Sequence, residues 1–394
     1  MRLQAVLIVC LVLVGAGRAG ANDYVVVRGA YYREASTRVI QPMVEVQREA
    51  PGTGVDVAAH FLVDAITSAS IAAGTSVDNV FTEIRDEVGL RVRKRWQRSD
   101  LALSYRYSAE SDYWSHGVAA SFGHRFWEDT ASVRLSVGRS FDTVAANGRM
   151  TVCRPDTDPM RSCALNVWFG GISYSQVLSP VAIAQVSYEG AYVEGYQGNP
   201  YRMVSSAGGR TEQVPEKRMR NAITPRIAYY LPGSGTGFQL NYRFYFDYYP
   251  GDAGTPGDPW QIFARTIEAR VYQQLLPSLE ARVLFRYYHQ NHAQFWCGAA
   301  TRPVGMPTDF CLVNTDPPVG YPTNALYVAA DPKLGPVTTQ YPEMQLVWQA
   351  DALRTVPFLR WFSAGAFEIS YGYYFQSTVF GGAHLLQTGY RLAY

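Results

Sequence analysis

The segment FQLNYRFYFDY, residues 238–248, decides how the rest of the chain is read. Phe238, Leu240, Tyr242, Phe244 and Phe246 alternate with Gln239, Asn241, Arg243, Tyr245 and Asp247. Successive side chains of an extended strand point to opposite faces, so one face here is aromatic and the other polar. A helical period would scatter both sets. Two settings accept such a strand: a half-buried soluble sheet, or a transmembrane barrel with lipid outside and water inside.

The pattern recurs along the chain. LEARVLFRY (279–287), FEISYGYYF (367–375) and EVGLRVR (87–93) alternate in the same way. So does QTGYRLAY (387–394), with Tyr390, Leu392 and Tyr394 on one side and Gln387, Gly389, Arg391 and Ala393 on the other. Sixteen such segments begin near Tyr24, Arg38, Val55, Phe81, Leu101, Gly117, Ala131, Ala164, Val181, Asn221, Phe238, Trp260, Leu279, Glu343, Ser363 and Ala383. After a first short hairpin around Glu34 to Thr37, short connections (51–54, 98–100, 127–129, 179–180, 232–237, 276–278 and around Pro357) alternate with long ones (68–80, 110–116, 142–163, 195–220, 248–259, 289–342 and 376–382). An up-and-down barrel places short turns at one end and long loops at the other. The fold expected is therefore an all-β, transmembrane, antiparallel up-and-down β-barrel of sixteen strands, or eighteen if 289–342 contributes another hairpin. A soluble sandwich fits less well, because its outward faces should carry charge rather than repeated Tyr, Phe and Leu.

Composition agrees. The chain has 28 Tyr, 18 Phe and 8 Trp, and no later segment reaches the run of apolar residues that a membrane helix requires. Arg2, an apolar run from Leu3 to Val14 and Ala19-Gly20-Ala21 read as a secretory signal peptide over 1–21, with the barrel occupying 22–394. Bulky Val9 before Cys10 argues against a lipid anchor. The formal net charge is +2, and both excess cations, Arg2 and Arg18, lie in the leader, so the mature chain is neutral. That argues against a nucleic-acid partner. Cys153, Cys163, Cys297 and Cys311 form two sequence-local pairs, which in an oxidising compartment read as loop-stapling disulfides. Zinc is the alternative, since His289 and His292 lie near Cys297, but the spacing matches no common ligand pattern. No metal or cofactor is expected.

Gln387, Gly389, Leu392 and Tyr394 resemble the terminal assembly signal of bacterial outer-membrane barrels. That resemblance implies the bacterial outer membrane as location, with its lipid and the barrel assembly machinery as partners. VDAITSAS (63–70) and SAESDYWS (108–115) resemble a family of proteobacterial outer-membrane barrels of unknown function, through Asp64, Thr67, Ala69, Ser70, Glu110, Asp112 and Tyr113. The family implies fold and location but no activity. Some barrels of this size are outer-membrane partners of polysaccharide export machines.

By parity the lumen-lining residues are Arg91, Arg93, Arg243, Tyr245, Asp247, Glu268, Arg270, Glu280, Arg282, Arg286, Glu368, Tyr374 and Arg391, with Arg134, Asn241, Tyr272 and Tyr288 beside them. Any water-filled barrel needs a solvated wall of this kind. A conduit for a long polar solute would use it too: rings pack on sugar faces, and guanidinium groups hydrogen-bond hydroxyls and carboxylates. Mixed charge argues against strong ion selectivity. No G-x-S-x-G or H-E-x-x-H motif occurs, so no enzyme is expected. The expected function is a pore for polysaccharide, with a periplasmic export protein as partner. A general or substrate-specific porin is the alternative, followed by a structural barrel of a periplasmic redox or secretion system.

Overall fold

In the computed structural model, residues 23–68, 81–144, 163–199, 203–204, 210–250, 258–297, 310–313, 319–322, 327–378 and 380–393 are described. They form twenty strands: β1 (Tyr24–Arg33), β2 (Thr37–Ala50), β3 (Val55–Ser68), β4 (Phe81–Arg95), β5 (Ser99–Ala109), β6 (Tyr113–Phe126), β7 (Ala131–Val144), β8 (Cys163–Ser179), β9 (Ala182–Gly195), β10 (Met203–Val204), β11 (Arg210–Thr211), β12 (Lys217–Leu231), β13 (Thr236–Tyr248), β14 (Phe263–Leu276), β15 (Leu279–Gln290), β16 (Phe310–Val313), β17 (Val319–Pro322), β18 (Val337–Gln349), β19 (Gly365–Gln376) and β20 (Ala383–Ala393). Sixteen of them close into one antiparallel barrel in chain order, with β10–β11 and β16–β17 as separate small hairpins. The seam pairs β20 with β1, Tyr24 opposite Ala393 and Arg33 opposite His384.

Every alternating segment of the sequence is a barrel strand. The long 289–342 connection does hold a hairpin, but β16–β17 stay out of the wall, which settles the count at sixteen. The largest boundary shift is in β18, which starts at Val337 rather than near Glu343, because Pro342 reads as a break yet lies inside the strand. Proline cannot donate to a ladder. The wall accommodates three by interrupting pairing beside them: β2–β3 skips Gln41 and Pro42, β12–β13 skips Thr224 and Pro225, and β18–β19 skips Tyr341 and Pro342. The turn after β6 runs left-handed through Trp127, Glu128 and Asp129 (φ 51°, 55° and 68°). That backbone twist matches strand twist in tight hairpins, and the Thr130 amide closes the turn on the Trp127 carbonyl at 3.0 Å.

The two faces of the wall differ as alternation requires. Val283 and Phe285 are 51% and 46% exposed, as are Leu240, Val88, Val118 and Ile369 to similar degree. Such a surface suits lipid and would be costly in water. Rings gather at both rims of it. Towards the long connections, His116 pairs with Tyr105 and His384 with Tyr371, each at 2.8 Å. Towards the short turns, Trp348, Phe367, Tyr390 and Phe362 make a chain of ring contacts, stacked, tilted and edge-on in turn. The connection around Pro357 is not a tight turn: it carries 3-10 turns at Ala350–Thr355 and Arg360–Phe362.

Three of the long connections fold together. Trp260 and Ile262 come from the β13–β14 connection, and Ala293, Phe295 and Ala329 from the β15–β18 connection; all are buried in one cluster. Val204, Cys297 and Val328 form a second cluster that adds the β9–β12 connection. Gln213 bridges to Val328, and Trp296 to Ala329. This cap has its own apolar core. It grips the wall where the Gln290 side-chain amide donates to the carbonyls of Lys333 (2.8 Å) and Gly335 (2.7 Å).

Cys297 is disulfide-bonded within that core and 1% exposed. An oxidised cysteine cannot serve as a thiolate ligand; His289 and His292 engage the Thr338 hydroxyl and the Ala293 carbonyl through Nδ1, each at 2.9 Å. The leader, Tyr394, Cys153 and the side chains of Cys163 and Cys311 lie outside the described residues.

Candidate functional site

The interior wall is built by register. Contacts that reach over an intervening strand mark the concave side: Arg28 on β1 donates to Glu368 on β19 at 2.8 Å across β20, and Arg91 on β4 donates to Gln47 on β2 at 3.0 Å across β3. Arg93 pairs with Asp56 at 3.0 Å. Glu368 also accepts from Gln345 at 3.3 Å. The Arg391 guanidinium lies 4.6 Å from the Tyr24 ring centre, and the Tyr374 ring stacks on Tyr341 at 4.1 Å.

β13 brings Arg243, Tyr245 and Asp247 to the same side. The Tyr245 hydroxyl donates to Asp247 at 3.1 Å. Glu268 is shared by Arg270 at 2.9 Å and Arg286 at 2.6 Å. Glu280 is taken by Arg282, which also reaches Gln345 at 3.3 Å. Asn241 accepts from Arg226 at 2.9 Å and donates to Glu268 at 3.1 Å. Most of the residues expected on the polar face therefore fall into local hydrogen-bonded clusters: one around Glu268, one running Arg28–Glu368–Gln345–Arg282–Glu280, and one around Asp247.

Sequence reasoning missed Arg218, Arg220 and Arg226. KRMRNAITPR (217–226) alternates like the other strands, and all three arginines share the inward parity of Ala222 and Thr224. Starting the strand at Asn221 left the first two in a connection, and Pro225 hid the third. Arg218 is bound by Asp247. Among the described residues, none hydrogen-bonds the buried Nε of Arg220.

Register also sorts the charge. β2–β5 lie diametrically across the ring from β12–β15. On β2–β5 the inward carboxylates outnumber the arginines, and each arginine is engaged: Arg85 with Asp64, Arg91 with Gln47, Arg93 with Asp56, Arg95 with Glu49 at 3.0 Å and Arg106 with Glu87 at 3.8 Å. On β12–β15 the inward arginines Arg218, Arg220, Arg226, Arg243, Arg270, Arg282 and Arg286 face only Asp247, Glu268 and Glu280. The sequence reading treated the mixed charge as uniform; the wall is polarised instead. Two adjoining cavities of about 480 and 530 Å³ open along the basic side, and Arg243 and Glu189 line both.

No curated protein sequence matches the chain. Among solved structures it resembles a "Bacterial polysaccharide outer membrane secretin" (8% identity, 94% of this chain and 98% of that chain, TM-score 0.49). It also resembles OccK2 (OpdF) of Pseudomonas aeruginosa, solved in complex with glucuronate (9% identity, 94% and 97%, TM-score 0.43), and OmpT of Vibrio cholerae (9%, 96% and 99%, TM-score 0.40). Scores and identities this low say nothing about what the chain does. A family model described as "Protein of unknown function (DUF3570)" matches residues 63–352, more than half of the sequence, and the chain belongs to that family.

Proposed function

We propose that this barrel is a bacterial outer-membrane pore that translocates a polysaccharide. The observation that supports the reading best is the interior wall: guanidinium groups and tyrosine rings repeat along it, most of them held by a neighbour, so a sliding chain meets many weak contacts. Hydroxyl-rich polymers bind such surfaces through forked hydrogen bonds and ring stacking. The short turns would face the periplasm, where an export protein would dock, and the cap would face the medium. The pore needs no catalytic group.

A selective porin is the second reading, favoured by the cap. Packed connections over the mouth suit the passage of small solutes better than free exit of a polymer. Deleting the barrel separates the two. Export predicts loss of one surface polysaccharide with its synthesis continuing inside the cell. If every polysaccharide reaches the surface at wild-type level, export is wrong. Conductance of the purified protein in a planar bilayer then tests the porin, and its absence would leave a structural barrel.

A further inference from the structure

We infer that the β12–β13 wall holds a binding station for oxyanions, and that the solute it takes is a glycan carrying carboxylates. The inference rests on the pore reading above and names its substrate class. Three arginines carry it. Arg218, Arg270, Arg282 and Arg286 each have a carboxylate partner. Among the described residues Arg226 has only the neutral Asn241 at 2.9 Å, and Arg220 forms no ion pair. Arg243 has Glu189 at 3.6 Å, a distance beyond a hydrogen bond.

These three groups share one place. Arg220 and Arg243 line one cavity, Arg226 and Arg243 line the next, and the two cavities meet at Arg243. The arginines outnumber the carboxylates in both linings, Glu189 against three in the first and Glu189 with Glu268 against four in the second, so the pair of cavities keeps an excess of positive charge that an anion can answer. Guanidinium binds carboxylate through two parallel N–H donors, which gives geometry as well as charge. Tyr245 lines the same cavity, with its ring centre 5.5 Å from the Arg243 guanidinium carbon. A ring beside a carboxylate clamp suits a sugar acid, whose apolar face can lie on the ring. Inorganic phosphate offers the same charge without that face. The acidic wall opposite would hold a polyanion against this side and keep it from spreading across the lumen.

The test uses the purified full-length barrel in planar bilayers. Under a KCl gradient the reversal potential should show anion preference, and the triple variant Arg220→Gln, Arg226→Gln, Arg243→Gln should lose it. An oligouronate should block the current at concentrations at least tenfold below those of a neutral oligosaccharide of equal length. Block by inorganic phosphate equal to that by the oligouronate would assign the station to free anions and overturn the glycan assignment. A reversal potential that is cation-directed, or unchanged in the triple variant, would overturn the station while leaving the pore intact. If the barrel does not conduct, the pore reading fails, and equilibrium dialysis of labelled oligouronate against detergent-solubilised barrel decides the station alone. Binding that disappears in the triple variant supports it, and no binding by the wild type ends it. Heat-modifiable gel mobility of the variant confirms that it has assembled.

Discussion

Arg218 on β12 and Asp247 on β13 form an ion pair that the cap seals from water. The Asp247 side chain is fully buried and that of Arg218 is 10% exposed. Arg218 Nε donates to Asp247 Oδ2 at 2.7 Å, while Oδ1 accepts the Ile262 amide at 2.8 Å. The Trp260 ring lies 4.0 Å from the guanidinium carbon. Asp247 thus joins the barrel wall to the first residues of the cap core. Removing one partner of such a pair strands the other charge in low dielectric, at a cost of about 3–5 kcal/mol. Asp247→Asn should therefore loosen the cap and leave the barrel closed. Faster hydrogen exchange confined to residues 260–262 and 293–297 would show this, with heat-modifiable mobility retained. The double replacement Arg218→Met, Asp247→Leu should restore only part of the protection, because it removes the orphaned charge but leaves the buried Ile262 amide without its acceptor. Unaltered exchange in Asp247→Asn would remove the pair from the cap's anchorage.

The disulfide at Cys297 bears on the same cap. Cys297 packs against Val204 and Val328, so its bond sits where two connections meet. The expected pairs are Cys297–Cys311 and Cys153–Cys163. Closing a loop of such length stabilises by about 3 kcal/mol in the chain-entropy model. Reduction should raise protease sensitivity in the cap and spare the strands. Non-reducing peptide mapping checks the pairing, and free thiols or crossed pairs would refute it.

Much of the fold was legible because its period is two. Lipid outside and water inside force alternation on every strand, and Phe238 to Tyr248 displays it without interruption. Parity assigns a face but not a partner. Arg28 and Glu368 are 340 residues apart, and only closure of β20 on β1 brings them together. The cap was invisible for a different reason. Its core draws Val204, Trp260, Phe295 and Val328 from three separate connections, none with a repeating pattern. Charge polarity was lost in the same way: a neutral total hides an uneven distribution around the ring.

Glu110 offers a pH test at a position outside the wall. It sits in the turn between β5 and β6. Burial raises its pKa above the ordinary carboxyl value; Arg85 opposes the rise, and Asp112, Glu83 and Asp64 add to it. The folded state therefore holds the proton more tightly than the unfolded chain does. The associated stability is complete below the unfolded pKa and is lost as pH rises through the raised folded value. Glu110→Gln has no carboxylate to bury, so it should be more stable than wild type at pH 7 and match it in acid. The midpoint of heat-induced mobility change, followed across pH, measures the difference. A variant whose advantage persists unchanged into acid would contradict the assignment.

Gly389 shows why the last strand needs a residue without a side chain. It lies on β20 between Glu368 of β19 and Arg28 of β1, paired with each in register. Glu368 leans across it to accept from Arg28 at 2.8 Å, which ties the seam of the barrel. A Cβ at position 389 would fall 2.7 Å from Glu368 Cγ, so the carboxylate would have to leave. Overpacking of this kind costs about 1–3 kcal/mol. The lost ion pair adds little, about 0.2–1 kcal/mol, because Arg28 is half exposed. Gly389→Ala should therefore lower the assembled fraction modestly, and Gly389→Val more. Glu368→Ala removes the obstacle, so the double variant Glu368→Ala, Gly389→Ala should assemble better than the sum of its parts predicts. A double-mutant cycle on the heat-modifiable fraction measures that coupling. Strict additivity would mean that Glu368 is not what Gly389 makes room for, and the glycine would then need another explanation within the terminal strand.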